Sequence, residues 1–561
     1  MARDTYDYVI VGAGSAGCVL AGRLSQDPQA RVLLIEAGPP DTKPAIRIPA
    51  GAWSLMSSEV DWSYTTAPQD ALGGRNEPWP RGKTLGGSSS INAQVYLRGD
   101  SGDFDGWAAL GNEGWSYDAV EPYFKRAEGA GPDLSGHYGG EGPLRLSRLS
   151  APHPLGRGFK DACVERGVES NEGFRRADLL GVGQPLVTQS YRRRWSVADA
   201  YLHPVRSRPN LKVLTGALAT RVLLDSGLAV GVEYRQDGQE LTAHAGSEVI
   251  LCGGVVNSPQ LLMLSGIGPG DHLKAVGVTT ILDLPGVGLN LQDHLGVPVQ
   301  MTMNQAALPD LAAAFLHLLR YYVGHTGALT SNRSEVCAFL KSSPDLEAAD
   351  LALLFTPPPL PPLWPKPRWV AAEALGIVGR YLPLVPDRFT AGRPHPITIA
   401  AMVLRPASVG HIRLASPDPL ANPIIQPNYL SDPAGRDLSL LVEGVRTVRS
   451  ICRSPALASL LAGEWRPGPQ VGTDAEIAGY VRRAAVSIKH PVGTCKMGID
   501  GLAVVDPELR VHGVRGLRVV DASIMPVIPR GHMNAPTVMI AEKAADLIAR
   551  ARKRRDDASI G

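Results

Sequence analysis

A glycine-rich turn close to the start of the chain constrains the fold most strongly. Residues 8–11 form a short apolar run typical of a buried strand, and Gly12, Gly14 and Gly17 follow it with the spacing GxGxxG. The first glycine of this motif permits a tight turn, the second lets the backbone approach a diphosphate, and the third lets the next helix pack closely. The sequence therefore predicts a dinucleotide-binding unit.

A second apolar run, at residues 31–36, supports this prediction. It ends in Glu36, nineteen residues after Gly17, and a carboxylate there can bind the ribose of an adenosine. A helix is predicted between the two strands, from Ala16 to Leu24. These residues alone do not distinguish NAD from FAD.

Length and composition indicate a globular protein of two closely packed domains, since the chain has 561 residues, 44% of them hydrophobic and 20% charged. The net charge of 56 − 54 = +2 gives no support for nucleic-acid binding. The six cysteines lack the spacing of a metal site, and no apolar run reaches the ~18 residues of a membrane span. The first strand begins too early for a signal peptide, so we expect a cytoplasmic protein without a structural metal.

The segment 80–93 is dense in small residues, six of its residues being glycine or serine. Such a segment lets backbone N–H groups line an anion or a flat ring, although a flexible surface loop has a similar composition. Further on, short alternating runs at 211–215, 219–224 and 229–234 predict an antiparallel meander. A helix is predicted over 258–266, with Ser258 as its N-cap.

The composition changes near residue 305. Residues 311–384 are rich in leucine, alanine and proline, and the seven prolines of 357–367 predict a stiff extended segment. Residues 369–382 have helical length and are apolar on nearly every side, which is typical of a helix that is buried, lines an apolar cavity, or faces a partner or a lipid surface. Alternation over 397–429 then predicts strands of a second sheet.

The C-terminal part carries the most informative chemistry. His490 precedes a proline on a non-helical corner, and histidine is the usual general base near neutral pH, although lone histidines are more often structural. Residues 517–522 have the pattern of a buried strand ending in an acid. A helix predicted over 538–552 would direct the positive end of its dipole toward whatever precedes Asn534.

Taken together, these segments resemble the glucose–methanol–choline (GMC) family of flavin oxidoreductases over nearly the whole chain. The segments that carry the resemblance are the GxGxxG turn with Glu36, residues 82–92, 253–269, 490–494, 520–522 and 534–537. The resemblance implies an α/β fold with a Rossmann-like FAD-binding domain and a second, substrate-binding domain built on an antiparallel sheet. The expected boundaries are 4–304, completed by 488–555, for the FAD-binding domain and 305–487 for the substrate-binding domain.

The same resemblance implies FAD as the cofactor and assigns its contacts. These fall on Gly12, Gly14, Ser15, Ala16, Gly17, Glu36, Ala37, Arg81, Thr84, Gly86, Gly87, Ser88, Asn92, Ala93, Val222, Asp521, Ala522, Asn534 and Thr537. Members that bind FAD covalently carry a histidine at the position of Ile91, so its absence here predicts non-covalent FAD.

The resemblance also assigns the chemistry. His490 corresponds to the catalytic histidine and Asn534 to the second catalytic position, whereas His532, two residues earlier, is expected to contact backbone or solvent. The implied reaction is oxidation of a primary alcohol to the aldehyde. His490 would accept the hydroxyl proton while a hydride passes to flavin N5, and oxygen or a quinone-type acceptor would reoxidise the flavin.

Several alternatives stay open within this resemblance. A choline substrate would need an aromatic cage and a carboxylate, but the region 311–384 has few acids beyond Glu335 and Glu373, and it favours an aliphatic, aromatic or polyether alcohol. A fatty-acid photodecarboxylase shares the GTCKMG and VVDAS segments but differs at His490 and Leu404. A hydroxynitrile lyase is a further alternative, and a non-catalytic FAD protein is disfavoured because both catalytic positions are filled.

Overall fold

The structure is a computed structural model that describes residues 5–134, 136–304, 319–358 and 396–560. The expected extended segment 357–367, apart from its first two residues, and the expected apolar helix 369–382 lie outside these ranges. Two seven-stranded sheets dominate the described part of the chain.

The first sheet is mostly parallel and carries the N-terminal motif. Its strands lie in the order Leu211–Leu214, Val32–Ile35, Thr5–Val11, Gln239–Leu251, Leu228–Gln236 and Ala217–Asp225, and Leu517–Val519 also pairs with Gln239–Leu251. The pairs among its first four strands, and that of Leu517–Val519, are parallel, and the remaining pairs are antiparallel. Val9 and Ile10 are fully buried because both faces of this strand are covered.

The second sheet is antiparallel throughout, as the family resemblance implied. Its strands lie in the order Leu461–Arg466, Leu295–Met303, Ile397–Val403, Leu351–Thr356, Val336–Leu340 and Gly181–Gly183, and Val486–Ser487 also pairs with Leu295–Met303. The strands Leu295–Met303 and Gly181–Gly183 thus join the second sheet, although both precede residue 305.

Helices and short strand pairs complete the described structure. The α-helices of six residues or more with both ends in the described ranges span Ser15–Leu24, Ser101–Ala109, Tyr117–Ala127, Pro154–Glu165, Gly254–Leu264, Gly270–Ala275, Arg436–Cys452, Asp474–Ala484 and Asn534–Ile560. The two-stranded pairs are Tyr64–Thr65 with Pro78–Trp79, Val95–Tyr96 with Leu186–Val187, Glu128–Ala130 with Leu144–Leu146, Gln189–Ser190 with Arg193–Arg194, Ile267–Gly268 with Leu282–Asp283, and His411–Arg413 with Ile424–Gln426. Within the described ranges, none of the helices combines the length and the apolar character that a membrane crossing requires.

A buried carboxylate holds the last helix, Asn534–Ile560, against the first. Glu542 is fully buried and receives hydrogen bonds from Arg23, Arg126 and the hydroxyl of Tyr201, at distances between 2.6 and 3.2 Å. Two guanidinium groups offset the cost of burying this charge, so removing Glu542 would leave them without their shared partner. The contact joins the last turn of the helix Ser15–Leu24 to a point eight residues after the start of the last helix.

Three details of the sequence prediction need correction. Of the strands expected over 397–429, Ile397–Val403 lies in the second sheet, whereas His411–Arg413 and Ile424–Gln426 pair with each other instead. The run at 211–214 belongs to the parallel part of the sheet, where it pairs with Val32–Ile35, because a short alternating run does not specify its partner strand. The helix expected from Ser258 begins at Gly254 instead. Its first N–H donates to the carboxylate of Asp521 at 2.8 Å, so a residue distant in sequence supplies the cap.

Candidate active site

The N-terminal turn has the geometry that its glycines predicted. Gly12 has a φ of +100°, and a Cβ there would lie 2.5 Å from the carbonyl oxygen of Cys252. A Cβ on Gly17 would lie 1.8 Å from the carbonyl oxygen of Gly12. Both positions therefore exclude any side chain, and they bring the helix Ser15–Leu24 directly against the strand.

Gly14 differs from these two glycines because a Cβ there would clash with no protein atom. Its nearest neighbour would be the carbonyl oxygen of Cys252 at 3.9 Å. The helix Ser15–Leu24 begins at this point without a side-chain cap, and Ser15 is partly exposed while Ala16 is buried. Uncapped N–H groups, the positive end of a helix dipole and a glycine backbone without a side chain fit a diphosphate.

The two residues at the end of the second strand lie beside this turn. The carboxylate of Glu36 accepts hydrogen bonds from the backbone N–H groups of Ala13 and Gly38, each at 2.8 Å. Burial raises the pKa of Glu36 to about 7. Glu36 thus fixes the backbone of the glycine turn, and Ala37 next to it is partly exposed.

The glycine- and serine-rich loop packs directly on the first turn. The N–H of Gly86 donates to the carbonyl of Ala13 at 2.8 Å, and a Cβ on Gly87 would lie 2.7 Å from the Cα of Gly14. The hydroxyl of Thr84 donates to the carbonyl of Pro39 at 2.7 Å. The loop is therefore ordered against the turn, and the alternative of a flexible surface loop does not describe it.

Polar groups at both ends of this loop connect it to other elements. Ser88 accepts a hydrogen bond from the N–H of Gly82, Asn92 accepts one from the buried Arg194, and the carbonyl of Ala93 accepts one from Asn332.

Arg81 donates to the carbonyl of Lys489 at 2.8 Å, which joins the loop to the segment of His490. Burial lowers the pKa of Arg81 and lowers that of Lys489 to about 8.

Asp521 joins the C-terminal strand to the helix Gly254–Leu264. Besides the N–H of Gly254, its carboxylate accepts hydrogen bonds from the hydroxyl of Ser258 at 2.6 Å and the N–H of Ser523 at 2.8 Å. Burial raises the pKa of Asp521. Asp521 therefore supports the site through the backbone, and its neighbour Ala522 is the partly exposed residue.

Two further residues assigned to the cofactor make local contacts. The N–H of Val222 donates to the hydroxyl of Ser265 at 2.8 Å, so an adenine ring could use this N–H only by displacing that hydroxyl. The hydroxyl of Thr537 donates to the carbonyl of Met533 in the first turn of the last helix.

Three histidines form the centre of the site. The rings of His490 and His532 meet edge to face with their centroids 4.7 Å apart, and Nδ1 of His294 lies 3.0 Å from Nδ1 of His490. His490 and His532 are partly exposed, whereas His294 is fully buried. Asp293 accepts the backbone N–H of His490 at 2.7 Å and thereby fixes its position.

The structure places Asn534 and His532 in different surroundings. Asn534 is the first residue of the last helix, and its Oδ1 accepts a 2.7 Å hydrogen bond from the hydroxyl of Ser15. His532 contacts His490 instead, because it lies on the non-helical segment ahead of that helix. The sequence held one signal for the position of His532. The predicted last helix places the residues ahead of it, His532 among them, beyond its N-terminus. We found no sequence signal that identifies His294.

The electrostatic environment keeps these imidazoles neutral. Burial lowers the pKa of His490 well below its usual value of 6.5, and His532, His294, Arg81 and Lys489 act in the same direction. Burial also lowers the pKa of His532 to about 4. Nδ1 of His532 has no hydrogen-bond partner among the described residues. The site thus offers neutral nitrogen bases for hydrogen bonding to a substrate hydroxyl.

Comparison with known proteins identifies the family. The GMC oxidoreductase family models match residues 6–296 and 406–541. The chain belongs to the GMC oxidoreductase family. This membership confirms the resemblance found in the sequence, the α/β fold class and the classification of the chain as an oxidoreductase.

The similarity to known proteins extends over almost the whole length of this GMC oxidoreductase. It is 43% identical to an alcohol dehydrogenase [acceptor] of Pseudomonas putida, over 99% of this chain and 98% of the relative. It is 42% identical to the mitochondrial choline dehydrogenase of Homo sapiens, over 97% of this chain and 90% of the relative. A formate oxidase of Aspergillus oryzae, solved in work on modification of its FAD, superimposes with a TM-score of 0.86 at 27% identity, over 98% of this chain and 99% of that chain.

Proposed function

We propose that this GMC oxidoreductase oxidises a primary alcohol to the aldehyde with FAD as its cofactor. The observation that carries the proposal is the contact between His490 and His532 next to the N-terminal glycine turn. The hydrogen bond from Ser15 to Asn534 brings these parts of the chain together. The relatedness to an alcohol dehydrogenase and a choline dehydrogenase supports an alcohol as the substrate.

The residues around the glycine turn fit FAD. Gly14 and the uncapped helix start would hold the diphosphate, and residues of the loop at 82–92 and Ala522 would hold the flavin. Ile91 is buried in an apolar cluster with Ile46, Leu55 and Val60 and offers no nucleophile, so we propose that FAD is held without a covalent bond. When bound, FAD supplies the acceptor for the hydride that leaves the alcohol carbon.

His490 and His532 have different roles at the alcohol hydroxyl. His490 acts as the general base and accepts the hydroxyl proton on Nε2, and its lowered pKa keeps it neutral for this step. His532 contacts the same oxygen through a ring nitrogen and orients it. Asn534, the residue expected in this second role, instead supports the cofactor site through Ser15.

The described residues favour an uncharged alcohol over choline. The carboxylate of Glu335 accepts hydrogen bonds from the hydroxyl of Ser331 at 2.6 Å and the N–H of His153 at 2.7 Å. The cationic Arg333 acts on the same carboxylate. A quaternary ammonium would therefore find this acid already occupied, so we propose an aliphatic, aromatic or polyether alcohol, with choline as the second candidate.

The remaining features of the proposal follow from the sequence. The reduced cofactor is reoxidised by oxygen or a quinone-type acceptor. The protein acts in the cytoplasm. Residues 4–304 and 488–555 form the FAD-binding domain and 305–487 the substrate-binding domain, whose sheet also takes in the strands Gly181–Gly183 and Leu295–Met303. Photodecarboxylation and hydroxynitrile cleavage stay minor alternatives, because a histidine base next to a second histidine suits alcohol oxidation.

Anaerobic bleaching of the flavin tests the proposal. Purified holoprotein is mixed without oxygen with primary alcohols of each class, with choline and with a long-chain fatty acid under illumination. Bleaching by an aliphatic, aromatic or polyether alcohol supports the proposal, and admission of oxygen or a quinone then identifies the acceptor. If choline alone bleached the flavin, choline would become the proposed substrate. If the illuminated acid gave an alkane, photodecarboxylation would become the proposed reaction.

A further inference from the structure

His294 connects the proposed base to the protein backbone. Its Nδ1 lies 3.0 Å from Nδ1 of His490, and its Nε2 lies 3.1 Å from the carbonyl oxygen of Leu404. The two rings stand at 78° with their centroids 5.2 Å apart. His294 and Leu404 are both fully buried, so water does not compete for these contacts.

These contacts determine which ring nitrogens carry protons. A carbonyl oxygen only accepts hydrogen bonds, so Nε2 of His294 must carry a proton. A neutral imidazole has a single N–H, which leaves Nδ1 of His294 as an acceptor. The hydrogen bond between the rings then requires the proton on Nδ1 of His490. Consequently, Nε2 of His490 has a free lone pair.

The charges around His294 keep it in this neutral form. Burial lowers its pKa to about 3, and His532 and Arg405 act in the same direction, whereas the carbonyl of Leu404 acts against them. On the other side of the pair, His490 faces His532, Arg81 and Lys489. Each of these neighbours is neutral or cationic. The nearby carboxylate of Asp293 already accepts the backbone N–H of His490 and the hydroxyls of Ser487 and Tyr429, so none of these groups favours a second proton on His294.

We propose that His294 is a positioning residue: it accepts the Nδ1–H of His490 and so keeps the Nε2 lone pair of His490 available to the substrate hydroxyl. This inference rests on the proposed function of His490 as the base. In that step the O–H bond of the alcohol breaks and an N–H bond forms at Nε2 of His490. The imidazolium charge that results is stabilised because its Nδ1–H already donates to His294.

Two amide substitutions separate this role from a packing role. In His294→Asn, the amide oxygen can take the place of Nδ1 and accept from His490, while the contact with Leu404 is lost. In His294→Gln, the amide group reaches the place of Nε2 and keeps the contact with Leu404, while the acceptor for His490 is lost. His294→Leu removes both contacts.

The proposal predicts a definite order of activities in the holoenzyme. His294→Asn should keep kcat within about fivefold of the wild type, whereas His294→Gln and His294→Leu should lose about 10- to 100-fold, within the range of general-base catalysis. FAD content and KM for the alcohol should change little. In a His490→Ala background, none of the three substitutions should lower the residual rate further.

A readout independent of turnover checks the tautomer itself. With ring-¹⁵N-labelled histidine in the resting holoprotein, His490 should show a protonated Nδ1 and a bare Nε2, assigned by loss of its signals in His490→Ala. In His294→Gln a population protonated at Nε2 should appear, and in His294→Asn it should not. The reverse order of Asn and Gln, equal losses in both, or an Nε2–H in the wild type would overturn the proposal. Failure of every alcohol to bleach the flavin would overturn the proposed function instead and would leave the tautomer measurement intact.

Discussion

The hydroxyl of Ser15 donates a 2.7 Å hydrogen bond to Oδ1 of Asn534, a residue 519 positions later in the chain. Each of these residues is the first of a helix, Ser15–Leu24 and Asn534–Ile560. The positive ends of two helix dipoles therefore lie together, where they favour negative charge. Two residues before Asn534, His532 contacts His490, so the same junction connects the proposed catalytic histidines to the N-terminal glycine turn.

Removal of the proposed base should abolish most of the activity. His490→Ala should lower kcat by at least about 10²-fold, because general-base catalysis contributes about 10²- to 10⁴-fold, and the protein should still bind FAD. Steady-state kinetics with the best alcohol, together with the flavin spectrum, check this. His137→Ala serves as the matched control, since His137 is exposed. Near-full activity of His490→Ala would show that another group is the base.

The two candidates for the second catalytic position should give different defects. His532→Ala should lower kcat by about tenfold or more with little loss of FAD, because His532 contacts His490. Asn534→Ala should mainly weaken FAD binding, because it removes the partner of Ser15. Parallel measurement of kcat and of the dissociation constant for FAD separates them. If Asn534→Ala gave the larger loss of kcat at saturating FAD, Asn534 and not His532 would hold the second catalytic position.

A methyl group on Gly14 should block the diphosphate. Because a Cβ there would lie at the start of the helix Ser15–Leu24 without a clash against the protein, Gly14→Ala should weaken FAD binding by at least about tenfold, or about 1.4 kcal/mol, and leave the fold intact. Gly106→Ala is the control, since a Cβ on Gly106 meets no atom within 4 Å and this glycine lies in the helix Ser101–Ala109. Alanine there should stabilise the protein by about 0.5–1 kcal/mol. Unchanged FAD affinity in Gly14→Ala would argue against a diphosphate at this turn.

The buried histidines should make stability depend on pH. His294, whose pKa burial lowers to about 3, stays neutral in the folded protein while an unfolded histidine binds a proton below about pH 6.5. Its contribution is fully present above that pH and falls by about 1.4 kcal/mol per pH unit as the pH drops toward the folded pKa. Glu36 changes the stability in the opposite direction as the pH falls, because its pKa is raised to about 7. The test therefore compares the wild type with a variant that lacks only His294. Between pH 7.5 and 5, Tm of the wild type should fall more steeply than Tm of His294→Asn; parallel curves would contradict this.

FAD should leave the protein completely on denaturation. Precipitation with acid should transfer all of the yellow colour to the supernatant, because Ile91 offers no atom for a covalent bond to the flavin. Flavin absorbance of the washed pellet measures the outcome, and mass spectrometry of the intact chain gives an independent check. Colour retained in the pellet would show a covalent link at another residue.

Local patterns were sufficient to predict much of the fold. The helix after the GxGxxG turn was predicted to within one residue of Ser15–Leu24, and the strand before it, Thr5–Val11, was predicted over its last four residues, because glycine conformation and strand hydrophobicity act over a few residues. The antiparallel second sheet followed from the family resemblance. The start of the helix Gly254–Leu264 was missed, because the carboxylate of Asp521, far along the chain, caps it.

The sequence by itself determined the glycine turn, the order of the motifs and, through the family, the class of chemistry. Only the tertiary structure decided that His532 rather than Asn534 contacts His490, since a shift of two residues at a helix start changes the direction of the side chain completely. It also decided that His294 joins His490 to the carbonyl of Leu404. Such contacts depend on how separate segments pack, and no local pattern along the chain encodes that packing.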